Sequence, residues 1–324
     1  MKTLRRALIP LALLSLKSAA YSQKKDSIPL KVRAFFADKI PQARNFNLEY
    51  TLVTPSSFSS QLQGKDLPDN KVKSFQQMKA NANIYFIKNK SWLLSTALQY
   101  RYTSIMNEAP VIPRTESEKN FHYHSEALNL TYFSKLFKKT AIYSANISTD
   151  GSDRHFERVR GMLTASLILK ATPKVKMSVG IAGIIDPSTQ IPVLPVFTYE
   201  NRFSNSWVLD ILLPKKVLMR KDVFSNGRIS LGTEMDNTSF YIYRDSNTYE
   251  FRQVVINSGV IYEHNLGGNF IGTFKTGLRT NINSRAFNKQ DSFNDYIWKG
   301  TYRPSVYFNA GISYNPFEKR RTNQ

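Results

Sequence analysis

Cysteine is absent from all 324 residues of this chain. Its absence removes disulfides, thiolate metal sites, a cysteine nucleophile and a lipoprotein anchor in one step. Long apolar runs are missing too. Past the N-terminal leader, no segment approaches the ~18 consecutive apolar residues of a transmembrane helix. Acids are scarce, 24 against 45 Lys and Arg, for a formal charge of +21. A surplus of that size indicates nucleic acid when it is gathered on a basic helix or in a recognised motif. Here the positive residues are scattered through turns and polar strand faces, so no nucleic-acid partner is expected, and lipid phosphates or anionic solutes are the expected counter-charges. No Gly-x-Ser-x-Gly, His-Glu-x-x-His or phosphate-loop motif occurs. Ser125 stands beside His124 in sequence, but neighbours on a strand face opposite sides. The expectation is a protein without catalysis and without a cofactor.

What is present begins with an export leader. Lys2, Arg5 and Arg6 precede a mostly apolar stretch from Ala7 to Leu16, and the small residues Ala20 and Ser22 precede Gln23. That is the layout of a secretory signal over residues 1–22, with an apolar core too short to span a bilayer. Removing Lys2, Arg5, Arg6 and Lys17 with it leaves about +17.

Behind the leader runs a period of two. From Gln77 to Phe86 the even positions are apolar and the odd ones almost all polar; Val306, Phe308, Ala310, Ile312 and Tyr314 alternate in the same way with Ser305, Tyr307, Asn309, Gly311 and Ser313. On a strand this puts one set on each face. Sustained alternation without long apolar runs is the signature of a transmembrane β-barrel, apolar towards lipid and polar towards the lumen. The fold class expected is all-β, an antiparallel transmembrane β-barrel of about 14 strands. The spans are roughly 44–54, 74–87, 91–104, 121–134, 139–149, 158–171, 175–185, 193–202, 206–213, 216–223, 227–244, 249–264, 269–281 and 303–315. Twelve strands is the alternative, because Pro214 and Asp236-Asn237-Thr238 read equally well as bulges or turns. Short links at Lys88-Asn89-Lys90, Lys135 to Lys139, Thr172-Pro173-Lys174, Phe203-Ser204-Asn205 and Leu266-Gly267-Gly268 interleave with longer ones at 55–73, 105–120, 150–157, 186–192 and 282–302. Short periplasmic turns and longer external loops alternate in this way in outer-membrane barrels. Residues 44–315 are thus one barrel domain. A periplasmic segment at 23–43, too brief for the plug domain of a large transporter, precedes it, and a tail at 316–324 follows.

Two segments resemble a known family. Ile191-Pro192-Val193-Leu194-Pro195-Val196-Phe197-Thr198-Tyr199, followed by Trp207-Val208-Leu209-Asp210-Ile211-Leu212-Leu213-Pro214, is similar to uncharacterised outer-membrane β-barrel proteins of Bacteroidetes. In those proteins a proline-bearing strand leads to a Trp strand ending in Leu-Pro. The resemblance implies the fold and the location and brings no substrate. One departure is the end of the chain: such barrels often finish on an aromatic residue, whereas here Tyr314 and Phe317 are followed by Glu318-Lys319-Arg320-Arg321-Thr322-Asn323-Gln324.

Three constellations bear on function. Glu49, Lys79, Arg101, Arg160, Lys170, Asp210, Glu234, Lys275 and Arg279 fall on polar strand faces and are the candidates for lining the lumen. There they would either make an anion-selective channel or close a narrow bore as a ladder of ion pairs. His122, His124 and Glu126 alternate on one face and form a weak metal candidate. That face continues into the lipid-side positions Leu128, Leu130 and Tyr132, so the set is read mainly as structural. Tyr and Trp residues near the strand ends, Trp92 and Tyr132 among them, suit the aromatic girdles of a membrane barrel.

The expected function is an integral barrel of the cell outer membrane for passive passage of small solutes or an envelope role. The rivals are a surface-binding barrel that uses its external loops and a lipid-modifying enzyme. Expected partners are outer-membrane lipid, lipopolysaccharide and the barrel-assembly machinery.

Overall fold

A computed structural model describes residues 28–111, 118–186, 188–244 and 247–317. The export leader and the charged tail from Glu318 lie outside the described residues. Helix α1 (Ile28–Lys39) and a 3-10 turn (Pro41–Ala43) are followed by sixteen strands. These are β1 (Phe46–Val53), β2 (Ser56–Leu62), β3 (Lys65–Lys88), β4 (Trp92–Asn107), β5 (Glu118–Leu136), β6 (Lys139–Gly151), β7 (Phe156–Ala171) and β8 (Val175–Ile185). They continue with β9 (Val193–Arg202), β10 (Val208–Leu213), β11 (Lys216–Val223), β12 (Gly227–Arg244), β13 (Asn247–Gly267), β14 (Phe270–Asn288), β15 (Tyr296–Tyr302) and β16 (Ser305–Tyr314).

Fourteen of them close an antiparallel barrel. The sequential strands from β3 to β14 are joined by β16 and then β1, which pairs back onto β3. All fourteen coincide with segments expected from the alternation. The two others were missed. At the far end of the seam β2 and β15 replace β1 and β16, pairing with β3, with each other and with β14. The links expected at 55–73 and 282–302 are therefore largely strand, and β3 and β14 run up through them. Asp236, Asn237 and Thr238 are not a turn either. They lie within unbroken β12, opposite Val255, Val254 and Gln253.

The alternation sorts as expected. On β16, Tyr307, Asn309 and Ser313 are buried inside while Phe308 and Ile312 face out; on β1, Asn47, Glu49 and Thr51 point in, and Phe46, Tyr50 and Leu52 out. Ile84 and Leu98 are exposed on the outer wall. Near the short-turn end, Trp92, Tyr132 and Tyr143 form an outward aromatic band, with ring centroids 4.5 and 6.5 Å apart.

A row of glycines shapes one wall. Gly232, Gly259 and Gly277 lie directly opposite one another on β12, β13 and β14. Gly232 and Gly277 have φ of 148° and 157°, and a Cβ on Gly259 would sit 2.0 Å from the Thr276 carbonyl oxygen. Only glycine fits such a bend in the sheet.

At the long-strand end the bore is filled. Phe58, Val72, Phe75, Phe240, Phe251, Ala286 and Trp298 form one apolar cluster inside the wall. Phe121 of β5 stacks on Phe240 of β12, with centroids 3.8 Å apart. This contact draws the upper half of β12 across the bore.

Candidate functional site

The lumen is the site to which the sequence pointed, and side chains meet across it at three levels.

At the short-turn end α1 lies inside the ring. Ala37 and Lys39 are buried at 1% and 3% exposure, so the N-terminal segment expected outside the barrel is in part a small plug. Its grip is ionic. Lys39 Nζ donates to Glu200 Oε2 at 2.7 Å and to Asp210 Oδ1, and its carbonyl oxygen accepts from Lys216 Nζ at 2.5 Å. Asp38 accepts from Arg220 at 2.8 Å and Arg228 at 2.7 Å. Burial alone would raise the Asp38 carboxyl pKa, but Arg228 and Arg220 outweigh it and hold the group well below the usual carboxylate range. Arg44, just beyond the 3-10 turn, bonds Glu263 at 2.5 Å and Ser313 at 2.7 Å.

Midway along the bore, Lys79 meets Asp236 at 2.6 Å and Lys275 meets Glu234 at 2.8 Å. Gln77 donates to Thr103 and Thr238 at 3.0 and 3.2 Å. Glu49 is taken by amides, accepting from Gln42 and Asn47 at 2.8 and 2.9 Å. Arg101 and Arg279 have weaker partners, at 3.3 Å to the Ser239 carbonyl oxygen and the Gln253 side chain. A cavity of ≈ 40 Å³ remains here, touched by Lys79, Lys275, Arg279 and the turn residue Lys215. That is room for about three water-sized atoms.

Towards the long-strand end, Arg158, Arg160 and Arg252 interlock with Asp150, Asp186 and Glu250. Arg160 donates to Asp150 at 2.5 Å, to Glu250 at 2.9 Å and to Asp186. Arg252 bonds Glu250 at 2.6 Å and Asp186 at 2.7 Å. Burial alone would raise the pKa of Asp186, in the β8–β9 loop; Arg160, with hydrogen bonds from Ser188 and Arg158, lowers it instead.

Eight of the nine lumen candidates thus point inward: Glu49, Lys79, Arg101, Arg160, Asp210, Glu234, Lys275 and Arg279. The exception is Lys170. A register shift between Ile168 and Lys170 breaks the alternation of β7, and Lys170 is exposed at the short-turn end. His122, His124 and Glu126 do share an outward face, but their neighbours are local. Tyr100 hydrogen-bonds His122 at 2.8 Å, and His124 lies edge-on to Phe156. No group of three or more His, Asp or Glu side chains is arranged to hold a metal among the described residues.

Sequence reading missed many of the partners. Glu200, Arg220 and Arg228 stand at inward positions of their strands, so the alternation marked them. Asp38, Lys39 and Arg44 carried no such signal, since no period places a short helix inside a ring.

The profile of a family described as a domain of unknown function, DUF6268, matches residues 39–315. No curated protein matches the chain. Among solved structures it is similar to an outer-membrane channel from Pseudomonas putida F1, with 7% identity and a TM-score of 0.35 over 83% of this chain and 95% of that one. It is also similar to the translocator domain of the autotransporter NalP from Neisseria meningitidis, with 10% identity and a TM-score of 0.32 over 88% and 93%. The outer-membrane protease OmpT from Escherichia coli is similar with 11% identity and a TM-score of 0.22 over 83% and 96%. Likenesses this distant carry no functional argument.

Proposed function

The chain belongs to the DUF6268 family of unknown function, and from its own wall and lumen we propose that it is an integral outer-membrane barrel that rests closed, with an envelope role and no continuous passage for solutes. The outer wall supports the membrane setting. On β4 the outward positions run Trp92, Leu94, Thr96, Leu98, Tyr100 and Tyr102, an apolar stretch between aromatic ends about as long as the ~9–11 residues of one crossing. The leader over residues 1–22 supplies export and is cleaved in this reading. The short-turn end, where the described residues begin at Ile28 and end at Phe317, faces the periplasm. Likeness of the β9 and β10 segments to barrels of Bacteroidetes supports the same setting.

The observation that carries the closed state is the paired lumen. Sequence reading left open whether the inner charges line an anion-selective channel or form a ladder of ion pairs. Lys79–Asp236, Lys275–Glu234 and the Arg158/Arg160/Arg252 cluster are ion pairs, and α1 occupies the short-turn mouth. Charges already matched by neighbours offer little to a permeating ion. Single-channel recording of the full chain in planar bilayers tests this reading. The expected result is a silent membrane at moderate voltage, and steady currents would overturn it.

A further inference from the structure

The wall has a gap. β10 and β11 are 6 and 8 residues long, between β9 and the 18-residue β12. Pairing of β9 with β10 ends at Phe197↔Leu213, and pairing of β11 with β12 ends at Lys216↔Glu234. Above the turn at Pro214 and Lys215, β9 and β12 face each other with no strand between them and no pairing to one another among the described residues. The β9 edge is blunted by Pro195, a residue suited to an unpaired edge because it has no N–H to leave free. The β12 edge is sealed higher up, where Tyr241 and Tyr243 hydrogen-bond Asp150 and Glu157. Below that, Asn237 lies exposed.

Two features flank this gap, one on each side of the wall. On the outer wall an apolar trough of ≈ 520 Å³ is lined by residues including Trp92, Tyr143, Ala165, Ile181, Gly183 and Val193. Its volume lies in the ~300–1,000 Å³ range of small-molecule sites. The register shows how it runs. Trp92, Tyr132, Tyr143, Ala165, Ile181 and Pro195 are successive cross-strand partners from β4 to β9, and the adjacent row ends Gly183↔Val193. The small side chains of Ala145 and Ala165, with Gly183, hollow the floor. The trough therefore ends on β9 where β10 is already missing.

In the bore behind the gap lies the ≈ 40 Å³ cavity, touched by both Lys215 on the turn and Arg279 on the far wall. The acids Glu234 and Asp236 on its wall are each held by a lysine. Arg279, at 6% exposure, has one side-chain hydrogen bond among the described residues, at 3.3 Å, with its guanidinium over the Phe75 ring. No carboxylate lies within 4.0 Å of it among the described residues; Asp236, already bound to Lys79, attracts it from farther off.

We propose that this gap is a lateral binding site for a single-chain amphiphile with a carboxylate head, a fatty acid in chemical class, its chain lying in the trough and its head reaching Arg279 past Lys215. Charge selects the anion. Size selects the carboxylate, because three water-sized atoms match a CO₂⁻ group and not a phosphoglycerol head. A desolvated guanidinium with free donors is the group that gains most from a bidentate carboxylate. The inference rests on the reading above that the outer wall faces lipid.

The test is binding of radiolabelled oleate to the full chain reconstituted in liposomes, with oleyl alcohol and monooleoyl lysophosphatidate as companions. Saturable binding of one oleate per barrel is expected. Gly183→Leu, at a position where a new Cβ has its nearest neighbour 4.0 Å away, should fold and weaken oleate and the alcohol alike. Arg279→Gln should weaken oleate about tenfold and leave the alcohol unchanged. Lys215→Gln on its exposed turn should act in the same direction and serves if the arginine variant does not fold. Unsaturable oleate uptake, an unaffected Gly183→Leu, or an oleate affinity that ignores the head-group variant would overturn the site. Lysophosphatidate binding as tightly as oleate would overturn the carboxylate assignment. A silent bilayer without oleate binding sinks this inference alone, steady currents with oleate binding sink only the closed state, and failure to insert into liposomes sinks the membrane reading on which both depend.

Discussion

Lys79 Nζ lies 2.6 Å from Asp236 Oδ2, joining β3 to β12 across the lumen although the two strands are not neighbours in the ring. With Lys275–Glu234 beside it, this contact makes the barrel a filled body rather than a tube. Opposite charges in a low-dielectric bore attract strongly, yet each was dehydrated to arrive there. The pair is thus worth little against an apolar replacement and a great deal against the loss of one member.

That asymmetry gives the first prediction. Lys79→Met leaves Asp236 to the more distant charges of Arg279 and Arg101 and should cost about 3 kcal/mol, the low end for a broken buried pair, because the Asp236 side chain also keeps 31% exposure. Adding Asp236→Leu should restore most of the loss. Urea titration of the refolded barrel, followed by its gel-mobility shift, reads both. A double variant as unstable as the single would show that the two residues are not coupled.

The plug should be insensitive to mild acid. Asp38 has its pKa lowered in the folded protein by Arg228 and Arg220. A depressed carboxyl contributes docking strength that is complete above the unfolded value of about 4 and is lost as pH falls through the lower folded value. The chain has no native cysteine, so a nitroxide on Ala34→Cys reports α1 alone. Its spectrum should stay immobile from pH 8 to pH 4 and loosen only well below that range. Asp38→Asn should loosen it at neutral pH. A transition near pH 5 to 6 would assign the docking to some other group.

Much of this architecture was legible because lipid and lumen impose opposite chemistries on alternate residues. Phe308 beside Asn309, or Leu98 beside Gln99, declares its face without any knowledge of the neighbouring strand. β2 escaped notice for the converse reason. Ser56, Ser57, Ser59 and Ser60 surround Phe58, and a strand whose outer face meets water carries no apolar period on that side. Partners across the bore were illegible as well. That Glu200 receives Lys39, or that Arg160 receives Glu250, depends on ring closure and on where α1 enters, neither of which is written in local spacing.

The glycine row separates two substitutions that look equivalent in sequence. Gly259→Ala puts a methyl group 2.0 Å from the Thr276 carbonyl oxygen and 2.7 Å from the Gly277 Cα, while the nearest atom to a Cβ at Gly183 is 4.0 Å away. Backbone cannot yield as a side-chain tip can. Gly259→Ala should therefore fail to reach the folded band in a refolding gel, and Gly183→Ala should match the parent. Equal yields from the two would mean that the sheet bend is not where the row places it.

The outer register is tested on β4. Leu98 is 40% exposed on the wall, about midway between the outward Trp92 and Tyr102, while its neighbour Gln99 faces the bore, where it pairs in register with Asn81 and Ser125. An Arg at the midplane of the lipid face must either dehydrate or drag water inward, at ~2–4 kcal/mol, whereas a lumen position already holds polar company. Leu98→Arg should lower refolding stability in liposomes towards the low end of that range, because the outward Glu126 stands opposite it on β5, and Gln99→Arg by less than about 1 kcal/mol. The same two changes compared in detergent micelles, where no fixed bilayer midplane exists, should differ much less. A large difference that persists in micelles would trace the effect to side-chain packing instead of lipid, and no difference in either medium would place Leu98 away from the membrane.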